Sequence, residues 1–323
     1  MTITGAKTLL ATVILARTSA FVFSKFIMEE LTPFQALGWR FLLAFCILAV
    51  LCRGHIAKAL KADPSLWKKG AFLGGSLFCV MTFEMFSLKT ASVHTVAFLE
   101  NLAVALVPLF LALYYRRLPA NKILIGCGFM VVGVAGLTCG PDGFVLLGGE
   151  GWALLTAVFY ALYIIATGAF AKNADSLSLG ILQMGMVGVL SFAAAWLQGG
   201  ITVPTQALTN LSLLFQILIC SCFGFAFQPV AQRYISSEEA GLYCALTPLF
   251  GAVLGTLVFH ETLSPAGFLG AMYILIGMLW VNWPKKTEES AQPHPDFSLA
   301  SSHGQMNCLK HNAAPIPGTA ARW

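Results

Sequence analysis

The sequence has 323 residues, of which 58% are hydrophobic and only 10% are charged, and its formal net charge is +5. A soluble domain carries about 25% charged residues, so this chain has too little polar surface to fold as a soluble protein of its length. We therefore expect an integral membrane protein in contact with the lipid bilayer, and the small net charge argues against a nucleic-acid partner.

Ten apolar segments are long enough to cross a bilayer, which takes about 20 residues of α-helix. They cover residues 6–26, 34–52, 70–88, 92–115, 121–139, 149–171, 177–197, 211–230, 236–260 and 265–283. The first segment continues through Arg17 without a small-residue cleavage site, so we interpret it as a membrane helix and not as a signal peptide. The sequence predicts an all-α integral membrane protein with ten transmembrane helices.

Basic residues concentrate in alternate loops of this predicted bundle. The loop at 53–69 contains Arg53, Lys58, Lys61, Lys68 and Lys69, and the next loop on that side contains Arg116, Arg117 and Lys122. Lys and Arg accumulate in cytoplasmic loops, so these loops and both chain termini are predicted to be cytoplasmic. We expect a multi-pass protein of the cell membrane, with a bacterial inner membrane as its location.

One short sequence occurs twice. Leu-Val-Pro-Leu-Phe at 106–110 matches Leu-Thr-Pro-Leu-Phe at 246–250. Each copy is followed by an apolar segment with two glycines seven residues apart, which are Gly126 and Gly133 in the first copy and Gly270 and Gly277 in the second. Such matched features indicate an internal duplication, although apolar segments also resemble one another by chance.

The duplication divides the chain into a five-helix repeat at 6–139 and a second at 149–283. Because five is an odd number, the second repeat enters the membrane in the opposite orientation, as in many transporters. Residues 284–323 are rich in Pro, Ser, Ala, His and Asn and lack hydrophobic periodicity. We predict a disordered cytoplasmic tail for this segment.

The stretch 232–282 contains Leu-Thr-Pro-Leu-Phe-Gly, His-Glu-Thr-Leu-Ser and Gly-Ala-Met-Tyr-Ile-Leu-Ile-Gly. It resembles the second repeat of the EamA-like branch of the drug/metabolite transporter superfamily, and 88–138 is similar to the first repeat. The resemblance implies a non-enzymatic protein that exports or exchanges amino acids, their derivatives or other small organic molecules. Two departures are His260 in place of the corner glycine, and Tyr-Tyr-Arg-Arg at 114–117 in place of an acidic corner.

Four charged residues lie inside the predicted helices, namely Arg17, Arg40, Glu84 and Glu100. Each such charge costs about 2.5–3.5 kcal/mol at a helix centre on insertion scales. All four fall between mid-membrane and the outer face, a layout that suits pairing around one water-accessible cavity. The alternative is structural: two ion pairs tie helices together, and Arg40 extends to the outer interface.

The second repeat has no charges at the corresponding positions. We expect it to line the cavity with neutral groups, for which the candidates are Tyr160, Tyr163, Gln183, Gln228 and Tyr243. In the first repeat, Trp39 is either an interfacial anchor or a cavity residue. Asn101 is a candidate substrate contact, because it shares a helix face with His94 and Pro108.

These residues suggest a division of roles. Arg17 or Arg40 would bind an anionic group of the substrate, and Glu84 or Glu100 would bind an amine or carry a proton. His94 is either a proton relay or a hydrogen-bonded surface group. Pro108 and Pro248 are either hinges or static kinks, since proline removes a helical hydrogen bond.

The sequence thus favours a secondary transporter that works by alternating access, by export or exchange, with proton coupling as an open alternative. No Walker motif is present, so ATP is not expected to drive it. We expect no cofactor and no metal, because none of the nine cysteines forms a CxxC pair. A membrane-bound transferase and a passive channel are the alternative functions, and both monomer and homodimer remain open.

Overall fold

The computed structural model describes residues 1–116, 121–140, 143–144, 148–235, 237–244, 246–261 and 264–282. The predicted tail at 284–323 and the basic residue Arg117 lie outside these ranges. Within them the regular secondary structure is helical, apart from a two-residue antiparallel pairing of β1 (Cys139–Gly140) with β2 (Gly143–Phe144).

The helices of the first half follow one another with short connections. Their bounds are α1 Ile3–Thr18, α2 Ala20–Ile27, α3 Pro33–Leu51, α4 Arg53–Ala62, α5 Leu66–Thr90, α6 Val93–Glu100, α7 Ala103–Tyr114 and α8 Asn121–Thr138. The second half contains α9 Gly149–Asn173, α10 Ser176–Leu197, α11 Ala207–Phe215, a π-helix Gln216–Phe225, α12 Ala226–Gln232, α13 Ser237–Cys244, α14 Leu246–Phe259 and α15 Pro265–Asn282.

Seven helical segments of the described chain are long and apolar enough to cross a bilayer. They are Ile3–Ile27, Pro33–Leu51, Leu66–Thr90, Val93–Tyr114, Gly149–Asn173, Ser176–Leu197 and Ala207–Gln232. Shorter apolar helices cover Leu124–Gly136, Leu246–Phe259 and Pro265–Trp280. The prediction of an all-helical, multi-pass membrane protein is confirmed.

The prediction of a loop throughout 53–69 is wrong, because α4 occupies its first ten residues. In α4 the buried Ile56 and the partly buried Ala59 and Leu60 share one helix face. Its basic residues face solvent. This helix was not predicted because it is short and charged, whereas the prediction relied on long apolar segments.

Three of the long segments are interrupted near their middle. The first is interrupted at Ser19, between α1 and α2, where the hydroxyls of Thr18 and Ser19 donate to the carbonyls of Ile14 and Ala16 at 2.9 and 2.7 Å. Such side-chain bonds to the backbone bend helices. The fourth segment is interrupted at 101–102, and the π-helix interrupts the segment that begins at α11.

The helices pair across the two halves of the chain. α3 packs against α10, α8 against α15, α5 against α9, and α1 against the π-helix and α12. All four glycines of the repeated pattern lie in the contact between α8 and α15. A Cβ atom on Gly133 would lie 2.6 Å from the Gly270 carbonyl oxygen, and one on Gly277 would lie 2.7 Å from that of Gly126. These glycines therefore permit close backbone contact.

Candidate functional site

A small polar cavity lies among α1, α2, α3, α5, α6, α9, the π-helix and α14. The volume open to the centres of water molecules is about 20 Å³, room for roughly one or two waters. Its lining includes the four charged residues predicted within the membrane, Arg17, Arg40, Glu84 and Glu100. The structure thus brings these four side chains together around one small cavity.

Arg17 lies near the end of α1, just before the interruption at Ser19. Its Nη1 atom donates to the hydroxyl of Tyr160 and to the side-chain carbonyl of Gln228, both at 2.8 Å. Its guanidinium carbon lies 4.2 Å from the centroid of the Phe225 ring, within range of a cation–π interaction. Arg17 Nε has no partner among the described residues, so this donor is available to a ligand.

Arg40 enters the same cavity from α3 and is 2% exposed. Its Nε atom donates to the hydroxyl of Ser221 in the π-helix at 2.9 Å. Its guanidinium carbon is 5.6 Å from the centroid of the Phe225 ring. Phe225 therefore contacts both arginines, and its apolar ring limits the water that reaches them.

Glu84 and Glu100 provide the negative charges of the cavity and are 4% and 3% exposed. Within the described residues neither carboxylate forms an ion pair or a hydrogen bond, and Glu100 Oε2 is buried without a partner. The expected pairing with Arg17 and Arg40 is therefore absent from this structure, because the arginines bond neutral groups. A buried carboxylate without a partner is costly, which makes both groups available to a cation or a proton.

A chain of hydrogen bonds holds Phe225 in place. Pro229 in α12 has no N–H group for the carbonyl four residues earlier, which belongs to Phe225. The Gln183 side chain instead donates to that carbonyl at 3.1 Å, and its own oxygen accepts from the Tyr163 hydroxyl at 3.1 Å. Tyr163 and Gln183 thus position the wall of the cavity without lining it.

The other predicted site residues lie elsewhere. Trp39 donates to the Thr202 carbonyl at 2.8 Å, and Asn101 donates to the Ala97 carbonyl at 2.7 Å. Tyr243 is half-buried and packs against the core. None of these three is among the residues that line the cavity. Gln228 reaches it only through its bond to Arg17.

The two predicted hinge prolines lie in α7 and α14. Pro108 is inside α7, after the interruption at 101–102. Pro248 lies in the first turn of α14, where a missing N–H group costs little. The two prolines therefore differ in their local effect on the helix.

His94, for which a proton relay and a hydrogen-bonded surface group were both open, contacts Glu261 in the α14–α15 connection. His94 Nδ1 lies 3.1 Å from Glu261 Oε2, and Lys25 Nζ lies 2.8 Å from Glu261 Oε1. Partial burial would raise the pKa of the Glu261 carboxyl, but the bonds from His94, Lys25 and the Val93 N–H outweigh it and lower this pKa to about 2. Glu261 is therefore a charged group at neutral pH.

Among the cavity residues that sequence reasoning missed are Thr18, Phe225 and Thr247. Thr18 and Thr247 are small polar residues in apolar segments, a weak signal shared with many packing positions. Phe225 is one of 25 phenylalanines, and its position depends on the π-helix. Pro229 was the available signal, because a proline inside an apolar segment indicates a disturbed helix.

A helical membrane bundle with a small, charged central cavity has the form of a membrane transport protein. The EamA-like transporter family matches this chain twice, at residues 5–139 and 147–283. The chain belongs to the EamA-like transporter family, which confirms the resemblance noted in the sequence.

Individual relatives are distant. An uncharacterized transporter of Archaeoglobus fulgidus is 23% identical over 277 residues, which are 84% of this chain and 84% of the relative. A chloroplastic WAT1-related protein of Arabidopsis thaliana is 27% identical over 174 residues, 51% of this chain and 42% of that protein. A solved crystal structure of a protein aligns with a TM-score of 0.64 at 18% identity, covering 86% of this chain and 96% of the other. The family and these homologues make the chain a multi-pass membrane transporter.

Proposed function

We propose that this protein is a secondary transporter of a small organic metabolite that carries both an anionic and a cationic group, such as an amino acid or a derivative. The observation that carries the proposal is the cavity, which is lined by two arginines and by two carboxylates that have no ion-pair or hydrogen-bond partner among the described residues. Charges at this depth are retained despite their insertion cost where they bind a substrate or an ion.

The unused hydrogen-bonding capacity of the cavity supports this substrate class. Arg17 Nε has no partner in the described part of the chain, and the only described hydrogen bond of Arg40 uses its Nε atom. A carboxylate of the substrate would bind these guanidinium groups. An amine would bind Glu84 or Glu100.

The proposed mechanism is alternating access by two inverted five-helix repeats in a bundle of ten transmembrane helices. The helix contacts support it. α3 and α10 are the second segments of the two repeats, and α8 and α15 are the fifth, and each pair is in mutual contact. The first segment of the first repeat contacts the third segment of the second repeat, through α1 and the π-helix. The first segment of the second repeat likewise contacts the third segment of the first repeat, through α9 and α5. Such reciprocal contacts suit two halves that rock about a central site.

The proposed location is the cell membrane of a bacterium, the inner membrane, with both termini in the cytoplasm. The exposed lysines and arginine of α4 support this orientation, because basic residues favour the cytoplasmic side. Transport would be export or exchange of the metabolite. Reactivity of single cysteines introduced into α4 toward an impermeant maleimide, in intact cells and in inside-out vesicles, tests the orientation.

Glu100 is the residue we propose for proton or amine binding, together with Glu84. Replacing Glu100 by Gln keeps the size of the side chain and removes its charge. We expect Glu100→Gln to reduce transport at least about tenfold, the effect of one lost charge-assisted bond, with unchanged folded yield. The exposed Glu29→Gln is the matched control. Full transport by Glu100→Gln would exclude this residue from the site, and flux that ignores an imposed pH gradient would exclude proton coupling.

The substrate itself can be found by a thermal-shift screen of the purified protein against a metabolite panel, because a ligand that binds the folded state stabilises it. Counterflow in proteoliposomes then distinguishes a carrier from a passive channel, which gives flux without exchange. Conversion of a hit to a new compound would favour the membrane-enzyme alternative. Light scattering in detergent distinguishes a monomer from a homodimer.

A further inference from the structure

A second and larger opening lies at one end of the bundle. Its volume is about 420 Å³, and it is formed by the 88–92 segment together with Lys25, Met28, Glu29 and Glu261. We call it the end groove. Its charged lining differs from the lipid-facing sides of the helices, so it marks the aqueous face of this end.

An apolar cluster separates the end groove from the central cavity. Its members are Phe21, Leu88, Ala91, Val93, Val96 and Ala97, all buried. Phe21 also lines the cavity, whereas Leu88 and Ala91 also line the end groove. This cluster therefore lies between the cavity and the end groove. A substrate that left the cavity toward the end groove would have to displace these side chains.

Glu261 joins the helices on the two sides of that cluster. Its carboxylate accepts from Lys25 Nζ at 2.8 Å, from the Val93 N–H at 3.1 Å and from the His94 N–H at 3.4 Å. The donors belong to α2 and α6, while Glu261 belongs to the connection after α14. A carboxylate at the first turn of α6 is also favoured by the helix dipole.

We propose that Glu261 is a positioning residue of the transport cycle, a latch that keeps the route to the end groove closed until the bundle opens at this end. The inference rests on the proposed alternating access. Opening the route requires α14 to move away from α2 and α6, and the Glu261 carboxylate is the polar contact that this movement must break. Phe259, which packs against Phe26 at a centroid distance of 5.5 Å, would move with it.

The latch has a steric counterpart in α14. A Cβ atom on Gly255 would lie 2.7 Å from Glu261 Oε2 and 3.6 Å from Val93 Cβ. Glycine therefore leaves room for the carboxylate to reach α6. The second distance lies within the range that a disulfide requires between Cβ atoms, roughly 3.5–4.5 Å, so a covalent link can replace the latch.

The test measures access to the cavity and needs no knowledge of the substrate. Thr18→Cys places a reporter thiol on the cavity wall, and a charged, impermeant methanethiosulfonate is applied to either face of sealed vesicles. Mass spectrometry of the residue-18 peptide gives the modification rate. We expect Glu261→Ala to raise this rate on the order of tenfold from the end-groove face only. Glu29→Gln, which removes a neighbouring exposed carboxylate, should leave the rate unchanged.

A disulfide then separates a latch from a general structural role. In the Glu261→Ala background, the pair Val93→Cys and Gly255→Cys should form a disulfide on oxidation, and modification of residue 18 should then become slow again. Reduction of the disulfide should return the fast rate. Either cysteine alone should not slow the modification. If Glu261→Ala folds poorly, Lys25→Met is the second variant. It removes the bond from α2 to the Glu261 carboxylate and keeps the bonds that the carboxylate accepts from α6. Unchanged rates, or an equal rise from both faces, would overturn the latch. A cavity that opens normally without transporting any metabolite would instead overturn the proposed function.

Discussion

Two stacked tyrosines of α9 allow a matched test of how the cavity is held together. Tyr160 and Tyr163 are both buried, with ring centroids 6.2 Å apart. The Tyr160 hydroxyl accepts from the charged Arg17, whereas the Tyr163 hydroxyl donates to the neutral Gln183. A hydrogen bond to a charged group contributes about 1.5–3 kcal/mol, and a neutral one about 0.5–1.5 kcal/mol. We therefore expect Tyr160→Phe to lower the free energy of unfolding by about 2 kcal/mol and Tyr163→Phe by about 1 kcal/mol.

The assay is equilibrium unfolding of the purified variants in one detergent. Phenylalanine keeps the aromatic ring, so the cation–π contact of Arg17 with residue 160 is retained and only the hydroxyl is lost. Gln228→Leu removes the second acceptor of the same Arg17 Nη1 atom, and combined with Tyr160→Phe it should cost more than the sum of the single changes. The reasoning is refuted if Tyr163→Phe costs as much as Tyr160→Phe, or if the double variant is additive.

Three further predictions concern the scaffold. Gly133→Ala should destabilise the protein in thermal unfolding, because its Cβ would lie 2.6 Å from a backbone oxygen of α15. Gly128→Ala is the control, because the space around Gly128 is open. It should be neutral or stabilise the protein by up to about 1 kcal/mol. His260→Gly should stabilise by about 0.5–1 kcal/mol, since residue 260 has a φ of 51°. The N–H of Thr205 is the main cause that lowers the pKa of Glu30 to about 2. Stability from Glu30 is thus present above about pH 4.5, its usual pKa, and lost as the pH falls toward 2, a loss that Glu30→Gln should abolish in acid unfolding.

The features that the sequence predicts well are those with a large energetic cost. Arg40, Glu84 and Glu100 inside apolar segments can be recognised because a charge in a bilayer is expensive. Gly133 and Gly277 can be recognised because their spacing is repeated, and the structure gives them one shared interface. In each case the residue differs strongly from its sequence neighbours, so it can be recognised without knowing which residues it contacts in the fold.

The arrangement around those charges was not predictable to the same degree. Pairing of Arg17 with a carboxylate was a sound expectation from charge, but Tyr160 and Gln228 take its Nη1 atom because the π-helix and α9 bring neutral acceptors closer. The residue type of His94 suggested either a proton relay or a hydrogen-bonded surface group, and its neighbour Glu261 lies 167 residues away along the chain. Contacts of this kind depend on helix rotation and on interruptions that apolar sequences do not encode locally.

The two corners that follow the repeated Pro-Leu-Phe sequence differ in charge but each contain a residue with the same positive φ. α7 ends at Tyr114 and α14 at Phe259, and the residues Arg116 and His260 that follow both have φ of 51°. The next residue is Glu261 in one corner and Arg117 in the other. An acidic side chain is stabilised at a helix N-terminus and a basic one is not, so the contact that Glu261 makes with α6 cannot be reproduced by arginine. If the corners belong to inverted repeats, they lie at opposite faces of the membrane, and the proposed Glu261 latch would then act at one face only.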